Sequence, residues 1–209
     1  MDTAFLISAF VTLFVVIDPI GLSPLFVALT QGTSPAERRA IAFRAIVLSL
    51  GLLALFAAFG EAVLGFIGIS MPAFRIAGGV LLFLTALDML FERRTKRRED
   101  QAEDRPDPSV FPLAIPLIAG PGAIATVILL TGQLSHSAQT SGLVVWAVIV
   151  GVVASVLLIA LVLFLAANLI ERGLGKTGVN VVTRLLGMLL AALAVQFVLD
   201  GLRDFGIPG

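Results

Sequence analysis

Six predominantly apolar runs, each about 20 residues or longer, divide this chain at 4–29, 41–60, 72–91, 110–130, 143–169 and 179–202. A helix rises about 1.5 Å per residue, so about 20 apolar residues suffice to cross a ~30 Å hydrocarbon layer. Of the whole chain, 58% is hydrophobic and 13% charged, against roughly a quarter charged in ordinary soluble domains. Such a chain cannot clothe six apolar segments in a water-facing shell. The expectation is an all-α integral membrane protein of six transmembrane helices. The first run is read as a span, because Met1-Asp2-Thr3 lacks the basic residues that open a secretory signal.

Charge placement orders these spans. Residues 92–109 are dense in both signs and rich in proline, and read as a charged linker between a three-helix membrane unit, 1–91, and another, 110–209. With six spans, the loops after spans one, three and five share one side. Twelve of the 14 lysines and arginines fall there, leaving Arg75 and Arg203 opposite. Basic loops face the cytoplasm. Both termini are therefore expected outside, in the periplasm.

Two of the runs are interrupted. Asp18-Pro19-Ile20-Gly21-Leu22-Ser23-Pro24 stands in the first, and Pro116-Leu117-Ile118-Ala119-Gly120-Pro121-Gly122 in the fourth. Each holds two prolines five residues apart with glycine between them. Proline removes a backbone donor and clashes with the preceding turn, so both segments predict a break in the helix. Backbone groups freed inside a bilayer must be buried in protein or line a polar cavity, as in transporters with paired broken helices. A weaker echo links Arg75-Ile76-Ala77-Gly78 in span three to Arg184-Leu185-Leu186-Gly187 in span six. Three spans per half make such equivalents run in opposite directions. The expected fold is thus two inverted three-helix repeats, with helices one and four broken near the bilayer centre.

The candidate binding residues are those of the breaks and their surroundings: Asp18, Pro19, Gly21, Ser23, Pro24, Ala119, Gly120, Pro121, Gly122, Thr126 and Gln196. Asp18 is the one carboxylate well inside a run, where an acid is expensive and points to function. The same Asp-Pro pair also suits the start of a half-helix, with aspartate as cap and proline at the first helical position. Half-helix N-termini attract a carboxylate, whereas unwound carbonyls attract an ammonium. An amino-acid zwitterion carries both. Ser49, Ser155, Ser23 and Thr126 could line a path or merely bond their own backbone. Asp88, Glu61, Asp200, Arg75 and Arg184 lie near run ends and suit snorkelling. Gly78, Gly79, Gly187 and Ala191 suit close helix contact. His136, the lone histidine, reads as surface, so no metal site is expected. Phosphate-binding loops, zinc spacings and nucleophile elbows are absent from the sequence. The expectation is a protein that is not an enzyme, has no cofactor and binds no nucleic acid.

At these residues the sequence resembles the MarC family of small bacterial membrane proteins, over essentially the whole chain. The resemblance is carried by Asp18-Pro19-Ile20-Gly21 with Pro24-Leu25-Phe26, by the run from Ala114 to Gly122, and by Gly178-Val179-Asn180, Arg184-Leu185-Leu186-Gly187, Gln196 and Asp200-Gly201. It implies a six-span bacterial inner-membrane protein that transports small neutral amino acids such as alanine, glycine or serine. Many members carry asparagine where this chain has Leu22; if that asparagine contacts substrate, the resemblance implies a smaller polar site or altered specificity here. The partners implied are a small neutral amino acid and the lipid bilayer. A coupling proton or sodium ion and a homo-oligomeric state stay open. The alternative is a membrane scaffold or small-ion channel whose helix breaks serve only packing.

Overall fold

A computed structural model describes residues 3–91, 107–137 and 141–206, without the side chains of 136, 137, 168–172, 174 and 176. Residues 92–106 of the expected linker, and the surroundings of His136, lie outside the described part. Every regular element among the described residues is helical. They are α1 (Thr3–Ile17), α2 (Pro19–Leu29), α3 (Pro35–Ile67), α4 (Met71–Leu90), α5 (Pro121–Ser137), α6 (Gly142–Leu165) and α7 (Ala167–Asp204). An irregular segment, Ser109–Ile118, precedes α5. By length and composition five helices could cross a membrane, or six when this segment and α5 form one bent span.

The helix ends follow local chemistry. Ser34 accepts a bond from the Glu37 N–H, and Glu37 accepts one from the Ser34 N–H, a reciprocal cap with Pro35 at the first helical position. That cap starts α3 several residues before the apolar run at 41, so Glu37, Arg38, Arg39 and Arg44 ride on its first turns. At 33 residues α3 is about 50 Å long, more than a ~30 Å core requires. It stops at Gly68, whose φ of 85° is left-handed and suits glycine. Ser70 then accepts from the Ala73 N–H to open α4. α7 begins at Ala167 and its winding breaks at Gly175 (φ 64°, ψ 173°), so its membrane-spanning part runs from Thr177 to Asp204 and carries Arg184 about two turns in.

Packing does not invert polarity as it would in water. Phe66 is 94% exposed, and Phe43, Phe59, Leu143, Leu158 and Leu185 are exposed as well. The outer surface is as apolar as the core, which suits lipid. Between such helices no hydrophobic force acts, and association rests on close fit. The antiparallel pair α4 and α7 makes the most extensive contact. A Cβ on Gly79 would stand 2.8 Å from the Ala194 carbonyl, one on Gly187 3.0 Å from the Met89 Cβ, and one on Gly201 3.0 Å from the Pro72 carbonyl. Glycine is therefore what lets these two helices meet, and each contact falls where an antiparallel register puts it. The α3 helix pairs with α6, where the Trp146 indole N–H donates to the Ala54 carbonyl at 3.0 Å. The α1–α2 run lies inside, touching α5, α6 and α7. Phe26 of α2 stacks on Phe164 of α6, with ring centroids 4.8 Å apart, and the Arg38 guanidinium sits over the Phe26 ring, 5.2 Å from its centroid.

Candidate functional site

The first interruption follows from Asp18 and Pro19. Pro19 has no N–H to continue α1, so the last regular bond runs from the Asp18 N–H to the Phe14 carbonyl at 2.9 Å. Asp18 then turns left-handed (φ 53°, ψ 62°), a conformation that aspartate tolerates better than most residues. Its carbonyl accepts from the Leu22 N–H at 3.0 Å and begins α2. Its Oδ1 accepts from the Gly21 N–H at 3.0 Å. The carboxylate is fully buried and caps α2. Gly21 is required by close approach: a Cβ there would stand 2.1 Å from Asp18 Oδ2 and 2.9 Å from Thr183 Oγ1. The Thr183 hydroxyl, from α7, thus borders the same point as the carboxylate. It is buried and makes no hydrogen bond.

The second interruption is longer than the sequence predicts and begins earlier. Phe111 (φ −133°, ψ 125°) and Ile115 (φ −127°, ψ 124°) are extended, each preceding a proline that excludes the helical region for its neighbour. The peptide bonds Phe111–Pro112 and Ile115–Pro116 are both cis. The paired spacing of Pro116 and Pro121 predicts a break between them, and Pro112, four residues earlier, stands outside that pair. The Ala119 N–H reaches back to the Ala114 carbonyl at 2.9 Å, and Gly120 follows. A Cβ on Gly120 would stand 2.2 Å from the Pro116 carbonyl oxygen, so the backbone doubles back too tightly for any side chain. α5 starts at Pro121, bent 52° from the segment before it. Its first turn carries no acidic residue.

The two interruptions are neighbours. A Cβ on Gly122 would lie 3.4 Å from Val16 Cγ1, two residues before Asp18, and 3.3 Å from Leu82 Cδ2 and 3.8 Å from Thr85 Oγ1 of α4. Around this junction Asp18, Pro19, Ala119, Gly120 and Gly122 are buried, Gly21 and Pro24 are half-buried, and Pro121 is exposed. Ser23 and Thr126 are buried, but their hydroxyls donate to their own helices, to the Pro19 carbonyl at 2.9 Å and the Gly122 carbonyl at 2.8 Å. Gln196 stands elsewhere. It is exposed, its amide donates to Asp200 Oδ1 at 2.8 Å, and 13 residues of helix, about 20 Å, separate it from Thr183. Thr183 is the site residue that sequence reasoning missed. Its motif, one residue before Arg184, was visible, but nothing in the sequence says which face of α7 meets Gly21.

A buried acid at the joint of two irregular spans, wrapped in helices whose outer faces suit lipid, defines a polytopic helical membrane protein with an internal polar focus. The profile of the MarC family integral membrane proteins matches residues 3–205. The chain is 38% identical to the UPF0056 membrane protein YvbG of Bacillus subtilis over 209 residues, covering 97% of this chain and 96% of that one. It is 36% identical to the UPF0056 inner membrane protein YhgN of Escherichia coli K12 over 202 residues, covering 95% and 96%. A relative in Methanocaldococcus jannaschii, also a UPF0056 membrane protein, is 36% identical over 207 residues, covering 97% and 98%. This chain belongs to the MarC family of integral membrane proteins. No solved structure matches it.

Proposed function

We propose that this protein is a secondary transporter of small neutral amino acids, with the substrate held where the first and fourth spans lose their winding. The observation that supports this reading is the close approach of Gly122, in the first turn of α5, to Val16, two residues before the buried Asp18. The electrostatics give the site a direction. Asp18 already occupies the N-terminus of α2, so its carboxylate offsets that helix dipole. α5 has no such acid in its first turn, and its N–H groups at Gly122 and Ala123 would receive a substrate carboxylate. The substrate ammonium would then face Asp18 and the Thr183 hydroxyl. In this reading the two halves are inverted repeats, the arginine-rich end is cytoplasmic and both termini are periplasmic. A proton or sodium ion supplies the driving force, and alternating access rocks one half against the other.

Counterflow in liposomes tests it. Purified protein reconstituted with unlabelled alanine inside should accumulate labelled alanine transiently, saturably, and in competition with glycine and serine. Permeation that neither saturates nor exchanges would favour a channel or scaffold and overturn the transporter reading.

A further inference from the structure

An open cavity of about 480 Å³ lies at the arginine-rich end of the molecule, apart from the joint of the two interruptions. Its volume falls within the roughly 300–1,000 Å³ typical of small-molecule sites. Its walls come from the end of α2 (Ala28, Leu29), the first turns of α3 (Glu37, Ala40, Arg44) and the entry to the irregular segment (Asp107). Chemically it is two-sided. Leu29 and Ala28 give an apolar wall, and charged groups of both signs ring it.

The key group is Arg44. Its Nη1 donates to Asp107 Oδ2 at 2.7 Å, joining the second span to the entry of the fourth across the cavity. Asp107 is itself anchored, since its Oδ1 accepts from the Ser109 hydroxyl at 2.6 Å and the Ser109 N–H at 3.0 Å. Ser109 is fully buried, so this carboxylate is held by the segment and cannot follow Arg44 away. Arg44 is more than half exposed and sits on a long flexible stem. A guanidinium presents five donors in a planar fork, of which Asp107 takes one side. A small carboxylate entering the cavity would meet the remaining donors of Arg44, and Glu37, two turns earlier on α3 and with one carboxylate oxygen on the Ser34 N–H, would receive an ammonium with the other.

We propose that this cavity is a second, outer binding site for a small zwitterionic amino acid, in which Arg44 holds the carboxylate and Glu37 the ammonium. The assignment of an amino acid rests on the transporter reading above. The cavity opens at the arginine-rich end, and the irregular segment that forms one wall continues directly to Gly120. It is thus a vestibule from which substrate passes to the joint. Occupancy weakens the Arg44–Asp107 tie, because the substrate carboxylate competes with Asp107 for the same guanidinium.

The chain has no cysteine, so one can be placed without background. Ala40 lines the cavity and is exposed. In detergent, the Ala40→Cys protein should react with a maleimide reagent, and L-alanine should slow the reaction saturably. Arg44→Gln in the same protein should raise the alanine concentration for half-protection about tenfold or more, the scale of a lost charge-assisted bond. Asp107→Asn should lower it, by releasing Arg44. Gly122→Val, which fills the inner joint, should abolish counterflow yet leave the protection intact. Protection unchanged by Arg44→Gln, or lost in Gly122→Val, overturns the outer site. If counterflow occurs in the wild type while alanine gives no protection, the outer site fails and the transporter stands. If neither occurs, both fail.

Discussion

Gly120→Ala probes the turn on which the second interruption depends. The added Cβ would stand 2.2 Å from the Pro116 carbonyl oxygen, about 1 Å inside any contact that proteins tolerate, and the obstacle is backbone. No rotamer change relieves it; residues 116–120 must open. That segment is enclosed, with Ala114, Ile118 and Ala119 buried, so opening it displaces packed neighbours. Overpacking of this kind costs about 1–3 kcal/mol. For a chain of this size each kcal/mol corresponds to roughly 2–4 °C in Tm, so a loss on the order of 5 °C is expected. Gly122→Ala is the control. Its Cβ would meet only side-chain tips at 3.3 and 3.4 Å, a fit that gives by a few tenths of an ångström, and its Tm should stay within about 2 °C of wild type. Thermal unfolding in one detergent, with counterflow on the same preparations, separates them. Gly120→Ala should lose stability and flux together, and Gly122→Ala should lose mainly flux. A Gly120→Ala protein that melts and transports like wild type would refute the tight return at Pro116 and with it the geometry of the site.

Three further outcomes follow from the same contacts. Asp18→Asn keeps a cap-competent side chain that tolerates the left-handed turn, so Tm should change little while flux falls at least tenfold; Asp18→Ala forfeits the cap as well and should cost about 0.5–2 kcal/mol. Wild-type flux in Asp18→Asn would remove the charge from the mechanism. Thr183→Val replaces a buried hydroxyl that makes no hydrogen bond with a methyl of similar shape, so stability should hold or rise while substrate affinity drops, and unchanged affinity would exclude that hydroxyl as a contact. The Ser109 hydroxyl, then its N–H, then Arg44 hold the Asp107 carboxyl below its usual value. A depressed folded pKa means this contribution is complete above the unfolded value near 3.9 and disappears as pH falls through the lower folded one. Melting scans between roughly pH 5 and 2 should therefore show a loss in the wild type that is smaller in Asp107→Asn; parallel curves for the two proteins would contradict it.

What the sequence made legible was whatever a single run of residues determines. Apolar run length located the helices, and the prolines marked the left-handed turn at Asp18 and the 52° bend before α5, because a missing N–H acts on its own chain. Boundaries were less legible. α3 begins at Pro35 and not near 41 because the Ser34–Glu37 cap extends the helix beyond the apolar run. The second interruption reaches back to Phe111, which is extended because it precedes Pro112, a proline outside the pair that marks the break. Partners across helices were the least legible. Gln196 reads as a site residue by position within its run, yet its face of α7 is exposed. Thr183, on the same helix, faces Gly21. Where both outer and inner faces are apolar, hydrophobic periodicity no longer says which side points inward.

The face that α7 turns inward is instead set by small residues. Gly187 lies one turn beyond Thr183 on α7, and a Cβ there would press on the Met89 Cβ at 3.0 Å and the Ala86 carbonyl at 3.3 Å. Gly201 at the far end is fixed against Pro72 and Ile76 in the same way. These contacts leave α7 little rotational freedom against α4, and so they hold the Thr183 hydroxyl at Gly21. α4 in turn supplies Leu82 and Thr85 to the surroundings of Gly122. One antiparallel pair therefore positions side chains at both interruptions. Gly187→Ala should accordingly disturb substrate affinity through the placement of Thr183, although it touches neither interruption. Combined with Thr183→Val it should add little further loss, since the group it displaces is already gone. Additive losses in that double variant would show that α7 acts on the site by some route other than the threonine.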